Sequence, residues 1–343
     1  MIIKFHKMHA LSNDFIIINL NENTVFRDKL SLYTSKDYIQ KLCNRNTGIG
    51  CDQLLIINQQ NDGTKDNKQD NNYDNNIYDY RIFNNDGNEV YQCGNGARCV
   101  ILYLSKYATN SQQKDIELIL KTQTTSMYGK YLLDNLVYLN MTNFLVEPKE
   151  LFCNLDYNPN NQYTLCIDNK ISLQYGMVSV GNPHIIIRLN SNEELENTQY
   201  LEYIALKIQK ANLFQHGINI NFVVLHEALN SINSHLPLQN NLQSDFTHKK
   251  DRFIDSLNNK NEVDIIYLRT YERGVGFTTS CGSGASATVF YLAQQEVFKY
   301  KRVLVNMLGG SIEIHIKDNK ELALIGSAQY VFHGVINLTQ LVE

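Results

Sequence analysis

Arg81-Ile82-Phe83-Asn84-Asn85-Asp86-Gly87, followed shortly by Cys93-Gly94-Asn95-Gly96-Ala97, has a counterpart in the second half of the chain: Arg269-Thr270-Tyr271-Glu272-Arg273-Gly274, then Cys281-Gly282-Ser283-Gly284-Ala285. The spacing repeats with the residues. An arginine stands 12 positions before each cysteine, an aromatic residue 10, and Asn84 or Glu272 9. One unit of strand, turn and helix is therefore present twice. A second echo lies upstream, where Ser12-Asn13-Asp14-Phe15-Ile16-Ile17-Ile18 resembles Gly181-Asn182-Pro183-His184-Ile185-Ile186-Ile187. The chain reads as two related halves facing each other.

Short segments such as Tyr80-Arg81-Ile82-Phe83 and Asp264-Ile265-Ile266-Tyr267-Leu268-Arg269 read as strands. After Cys93, the apolar residues Ala97, Val100, Ile101, Leu104 and Tyr107 fall at helical spacing, as do Ala285, Thr288, Val289, Leu292 and Ala293 after Cys281. Each helix then has one apolar stripe to bury. The expected fold class is α+β, with two pseudo-symmetric domains. Each is a curved, mostly antiparallel sheet or barrel wrapped around a central helix, with the active site in the cleft between them. The halves are expected at 1–147 and 148–328, changing over near Pro148, with a final strand in 329–343 returning to the first. Residues 58–76, rich in Asn, Gln and Asp, and about 230–262, with Asn, Gln, Ser and Lys, read as polar insertions that carry no chemistry.

At 343 residues and 43% hydrophobic content the chain can build two cores. A formal net charge of −4 with interspersed signs leaves no basic stripe, which argues against a nucleic-acid partner and for a small molecule. The apolar run Phe15–Ile18 is too short for a signal-peptide core, and no stretch approaches a membrane span. Seven cysteines, an odd number, suit a reducing cytoplasm better than a disulfide framework. Cys43, Cys51, Cys99, Cys153 and Cys166 fit no metal-ligand spacing and read as small buried hydrophobes.

Cys93 and Cys281 differ from these, because each lies in a glycine-rich turn at a helix N-terminus. There the unpaired backbone N–H groups favour a thiolate and bind anions. Such a pair suits removal of a hydrogen from a carbon beside a carboxylate, a weak acid that needs a positioned base and stabilisation of the charge formed. The N–H groups of Gly94, Asn95, Gly282 and Ser283 can hold the carboxylate. One thiolate then takes the hydrogen from one face while the other thiol returns one from the opposite face, which inverts the centre. Glycine after each cysteine permits close approach of the substrate.

These motifs resemble the diaminopimelate epimerase family, within the larger group of cofactor-independent racemases that includes proline racemase. The resemblance rests on Lys7-Met8-His9-Ala10-Leu11-Ser12-Asn13-Asp14-Phe15, Gly48-Ile49-Gly50-Cys51-Asp52-Gln53, Arg81 to Gly87 and Cys93-Gly94-Asn95-Gly96-Ala97-Arg98-Cys99. It continues in Gly181-Asn182-Pro183-His184, Asn219-Ile220-Asn221-Phe222, Tyr271-Glu272-Arg273-Gly274 and Cys281-Gly282-Ser283-Gly284. What it implies is interconversion of L,L- and meso-diaminopimelate on the route to lysine and peptidoglycan, without pyridoxal phosphate, metal or other cofactor. By the same pattern Cys93 is the base toward the L,L isomer and Cys281 the acid. Asn13, Gln53, Asn84, Gly94, Asn95, Asn182, Asn219, Glu272, Arg273, Gly282 and Ser283 bind substrate, and His184 and Glu272 tune the thiols. A homodimer in the cytoplasm is the implied assembly.

Bland readings compete at several of these positions. Asn84-Asn85-Asp86-Gly87 is also an ordinary turn signal, Asn13 and Asn182 also suit strand ends, and His184 also suits a buried structural role. Arg81 and Arg269 read as a structural pair. The chain departs from the family pattern at Ala10 and Ser12, where glycines are usual, at Cys51, where a small residue is usual, and at Phe277, where an acidic residue is common. A racemase of another amino acid such as proline would carry histidine where Asn95 stands and would lack the Glu272-Arg273 pair. A thiol redox protein or sensor would leave the binding asparagines unexplained.

Overall fold

The computed structural model describes residues 2–60, 76–90, 92–108, 116–167, 171–211, 213–215, 217–226, 262–319 and 321–341. Most of the insertion expected at 58–76, and all but the last residue of the one expected at 230–262, lie outside the described residues. Asn58 and Gln59, assigned from sequence to the first insertion, are instead strand residues, paired with Asp79 and Tyr78. The chain divides into two compact units, Met1–Asn140 with Ile325–Glu343, and Met141–Leu324.

The first unit contains β1 (Ile2–Ala10), β2 (Asn13–Asn19), β3 (Gln53–Gln59), β4 (Ile77–Asn84), β5 (Glu89–Val90), β6 (Glu117–Lys121), β7 (Ser126–Tyr131) and β8 (Leu136–Met141). Its helices are α1 (Thr24–Arg27), α2 (Leu30–Tyr33), α3 (Lys36–Cys43) and α4 (Gly94–Lys106). The second unit contains β9 (Tyr163–Ile167), β10 (Ile171–Ser179), β11 (Pro183–Arg188), β12 (Asn219–Leu225), β13 (Asp264–Glu272), β14 (Gly276–Thr278), β15 (Arg302–Met307) and β16 (Gly310–Ile316). With them come α5 (Asn192–Glu196), α6 (Thr198–Lys210) and α7 (Gly282–Gln294). β17 (Leu322–Ser327) leads to β18 (Gln329–Asn337), which pairs antiparallel with β1 in the first unit.

The two units repeat one pairing scheme. β1–β2 is antiparallel, β2–β3 parallel, β3–β4 and β4–β5 antiparallel, β4–β6 parallel and β6–β7 antiparallel. In the same succession β10–β11 is antiparallel, β11–β12 parallel, β12–β13 and β13–β14 antiparallel, β13–β15 parallel and β15–β16 antiparallel. Register follows as well, since Phe15 pairs with Gln53 on the parallel strands of one unit and His184 with Asn219 in the other.

In the first unit α4 packs against β1, β2, β7 and β18, and in the second α7 packs against β10, β11, β12 and β16. Every residue of α4 from Gly94 to Ser105 is buried, as is every residue of α7 from Gly282 to Leu292. The single apolar stripe expected from sequence is therefore too narrow a description. Strands surround each helix, so even its polar positions face protein. On the outer face of the first sheet, Ile16, Ile18, Leu54 and Ile56 meet Phe26, Ile39 and Leu42 of the short helices. Ile185, Ile187, Ile220 and Phe222 meet Leu201, Ile204 and Ile208 of α6 in the second.

Candidate active site

Each of the two cysteines singled out by the repeat is the N-cap of its buried helix. Cys93 and Cys281 have extended backbones, and each sulfur accepts a hydrogen bond from the N–H three residues on, from Gly96 at 3.3 Å and from Gly284 at 3.3 Å. A sulfur at this position meets the positive end of the helix dipole and an N–H donor, both of which favour its thiolate form. The third residue of each turn is glycine for a packing reason. A Cβ on Gly96 would lie 2.5 Å from the Tyr80 hydroxyl, and one on Gly284 would lie 2.4 Å from Asn221 Oδ1. A Cβ on Gly94 would meet only Leu139 Cδ1, at 4.0 Å, so packing does not demand that glycine.

In the first unit Gln53 and Asn84 are paired across β3 and β4, and Gln53 Nε2 donates to Asn84 Oδ1 at 2.8 Å. The Gln53 Oε1 atom is buried without a hydrogen-bond partner. Asn13 opens β2 after Leu11 and Ser12, both in the left-handed region, at φ 52° and 68°. Two such residues make the tight primed turn that suits a two-residue hairpin, and Ser12 adopts it without being glycine. Next to Asn13 and Gln53, Asp14 and Asp52 each accept the other's backbone N–H, at 3.0 and 3.1 Å, while Arg45 grips Asp14 through both terminal nitrogens. Burial opposes ionisation of Asp14, but hydrogen bonds from Arg45 and Lys7 outweigh it and hold the carboxyl far below its usual range. Asn95 is buried, its Oδ1 accepting from Arg98 Nη2 at 2.8 Å.

In the second unit Asn182, His184, Cys281 and Ser283 converge. Ser283 Oγ lies 3.2 Å from Asn182 Nδ2, 3.1 Å from His184 Nε2 and 3.4 Å from Cys281 Sγ. His184 is fully buried, and that burial lowers its pKa to about 3, so the ring is neutral near pH 7. Glu272 accepts from Thr278 Oγ1 at 2.6 Å and is hydrogen bonded to Cys281. Burial pushes its pKa above the usual value, against those two bonds. Asn219 Oδ1 accepts the backbone N–H of Arg273 at 3.0 Å, and the Arg273 stem covers Gly217, whose φ is +72°. Asn182 Oδ1, like Gln53 Oε1, is buried with no hydrogen bond. Asn13, Gln53, Asn84, Cys93, Gly94 and Asn95 thus belong to the first unit, and Asn182, His184, Asn219, Glu272, Arg273, Cys281, Gly282 and Ser283 to the second.

The sequence model of the family described as diaminopimelate epimerase matches residues 5–122 and 176–331, which contain both glycine-rich turns. The chain belongs to the diaminopimelate epimerase family. The diaminopimelate epimerase of Buchnera aphidicola subsp. Baizongia pistaciae (strain Bp) is 36% identical over 339 residues, spanning 98% of this chain and 96% of that protein. The one from Legionella pneumophila (strain Lens) is 31% identical over 339 residues, 97% of this chain and 99% of that protein. Among solved structures, a hydroxyproline epimerase from Agrobacterium vitis superposes with a TM-score of 0.59 at 10% identity, over 98% of this chain and 92% of the other. Methylitaconate-delta-isomerase does so at 0.56 and 14%, over 100% and 97%. At such identities the likeness is one of fold.

Where this chain departs from the family pattern, the structure gives local reasons. Phe277 on β14 packs edge-on against Tyr271, ring centroids 5.2 Å apart, so an aromatic cluster occupies that position. Cys51 is buried with its sulfur 3.3 Å from that of Cys43. Cys166 is exposed on β9, contrary to the buried reading of the spare cysteines, because it alternates outward along the strand. Arg81 donates two hydrogen bonds of 2.8 Å to the Glu89 carboxylate, as suits a structural role. Three groups behind the turns escaped the sequence reading: Arg98, Thr270 and Asn221. All are buried polar residues in otherwise apolar elements, and that mismatch is the signal that marks them.

Proposed function

We propose that the chain interconverts L,L- and meso-diaminopimelate by a two-thiol transfer of the α-hydrogen, on the route to lysine and peptidoglycan. The observation that carries the reading is the paired N-cap: two cysteines, one per unit, each with its sulfur receiving a helix N–H. With the L,L isomer, the Cys93 thiolate removes the α-hydrogen and becomes a thiol. The carbon–hydrogen electron pair spreads into the adjacent carboxylate, held by N–H groups of Gly94, Asn95, Gly282 and Ser283. Cys281 then gives its own hydrogen to the opposite face of the carbon and is left as thiolate. The reverse reaction exchanges the roles.

The side chains suit a ligand with two ammonium and two carboxylate groups. Gln53 Oε1 and Asn182 Oδ1 are buried acceptors with unused capacity, which an ammonium group would fill. Arg273 supplies a planar fork of donors for the distal carboxylate, and its backbone is fixed by Asn219. Glu272 accepts the Cys281 thiol hydrogen when that residue must act as base. We assign the protein to the cytoplasm, where the thiols stay reduced. Among the described residues no helix is long and apolar enough to cross a membrane.

Proton NMR of L,L-diaminopimelate in deuterium oxide with the reduced protein tests this reading. Deuterium should enter the α position as the meso isomer forms, and Cys93→Ala and Cys281→Ala should each abolish the conversion. No exchange by the reduced wild-type protein would refute the assignment, and exchange with proline instead would redirect it.

A further inference from the structure

We propose that Asn221 is a positioning residue for Cys281: it holds His184 as the ring protonated at Nε2, which leaves the Ser283 hydroxyl free to donate to the Cys281 sulfur. The inference rests on Cys281 being a catalytic thiol and extends that reading to residues with no assigned part in it. Asn221 is fully buried on β12. Its Nδ2 lies 3.1 Å from the Ile185 carbonyl oxygen, which can only accept, so the orientation of the amide is fixed. The Thr270 hydroxyl donates to Oδ1 at 2.9 Å, in agreement with that orientation. The second hydrogen on Nδ2 then points to His184 Nδ1, 3.1 Å away. A nitrogen receiving a hydrogen bond carries no hydrogen, so the ring hydrogen sits on Nε2 and is donated to Ser283 Oγ at 3.1 Å. Asn182 Nδ2 occupies the other side of that oxygen at 3.2 Å. With both lone pairs engaged, the serine hydrogen is turned to Cys281 Sγ, 3.4 Å away.

The duplication supplies an internal control. Strand register and the two echoes make Phe15 the counterpart of His184, Leu55 of Asn221 and Ile82 of Thr270. Leu55 and Ile82 face each other across β3 and β4 as Asn221 and Thr270 do across β12 and β13. The first unit therefore builds the same strands, turn and helix with apolar residues, so the fold does not require the polar relay. Burying three polar side chains where apolar ones suffice is unfavourable unless they serve the site they lead to. Glu272 meets Cys281 separately, through its own hydrogen bond to the thiol.

Three readouts test the proposal. Nitrogen NMR of protein with isotope-labelled histidine gives the ring tautomer without substrate, His184 being identified by its loss in His184→Gln. Alkylation by iodoacetamide, followed on the Cys281 peptide by mass spectrometry, reports the thiol. Exchange of the diaminopimelate α-hydrogen reports catalysis. Wild-type protein should show His184 protonated at Nε2. Asn221→Leu, which installs the residue of the first unit, should populate the form protonated at Nδ1, slow Cys281 alkylation by about three- to tenfold and lower kcat more than KM. Ser283→Ala should slow Cys281 alkylation with the ring form unchanged, which keeps the proposal testable if Asn221→Leu does not fold. A wild-type ring protonated at Nδ1 overturns the proposal, as does unchanged Cys281 alkylation in either variant. Relay readouts as expected, with no α-hydrogen exchange by wild-type protein, support the relay and refute the epimerase assignment alone.

Discussion

Single residues carry the chemistry, and burial sets their charge. His184 has its pKa depressed from 6.5 to about 3 by desolvation. The folded protein therefore binds fewer protons than the unfolded chain between those values, and stability falls as pH drops from about 6.5 toward 3, with no loss above that window. The slope owed to this one group approaches about 1.4 kcal/mol per pH unit. Urea unfolding of wild type and His184→Gln should give a difference that is flat above about pH 7 and tilts against wild type below about pH 6. Parallel profiles would mean that His184 is solvated. At this scale the two cysteines are legible in sequence because a thiol in a glycine-rich turn has no core to join. Asn221, Thr270 and Arg98 are hidden, because a polar residue inside a strand or helix normally faces water and only the fold turns these three inward.

The working element is a strand, a turn and a buried helix whose first residues are shaped by glycine. The two kinds of glycine in each turn should separate stability from catalysis. Gly96→Ala drives a methyl into the Tyr80 hydroxyl and Gly284→Ala into Asn221 Oδ1, so each should cost about 1–3 kcal/mol and displace the N–H that serves the sulfur. Gly94→Ala meets no close atom, so thermal unfolding should be unchanged or slightly later, while turnover should fall, because in the proposed reaction the new methyl takes the space of the substrate carboxylate. A Gly94→Ala protein with full activity would move the carboxylate elsewhere. The helices themselves are legible from their apolar spacing, yet their complete burial is not. Periodicity reports which face is most apolar, whereas encirclement depends on strands far away in sequence.

Across the whole chain the duplication explains why the C-terminus returns to the first unit. In the second unit β9 precedes β10 in sequence and pairs with it antiparallel. The equivalent edge of the first unit, beside β1, is filled by β18, paired from Ile2↔Asn337 to His9↔Gln329. The same strand position is thus filled by the preceding segment in one half and by the end of the chain in the other. Leu338 reinforces the attachment, buried against the first core and accepting from the Tyr38 hydroxyl at 3.3 Å. The sequence reading expects a final strand in 329–343 to return to the first half but not which edge it fills, because a strand outside the repeat has no counterpart to set its partner, and its outward face carries exposed Val331 and Val335. The first unit can therefore close only after β18 is made, while every strand pair from β9 to β16 is available earlier. A chain ending at residue 328 should lose amide-exchange protection in β1, β2 and α4 by about tenfold or more, with β10 to β12 retaining theirs. Equal loss in both sets of strands would show that the two units unfold as one, and the edge strand would then be holding the whole molecule rather than its own half.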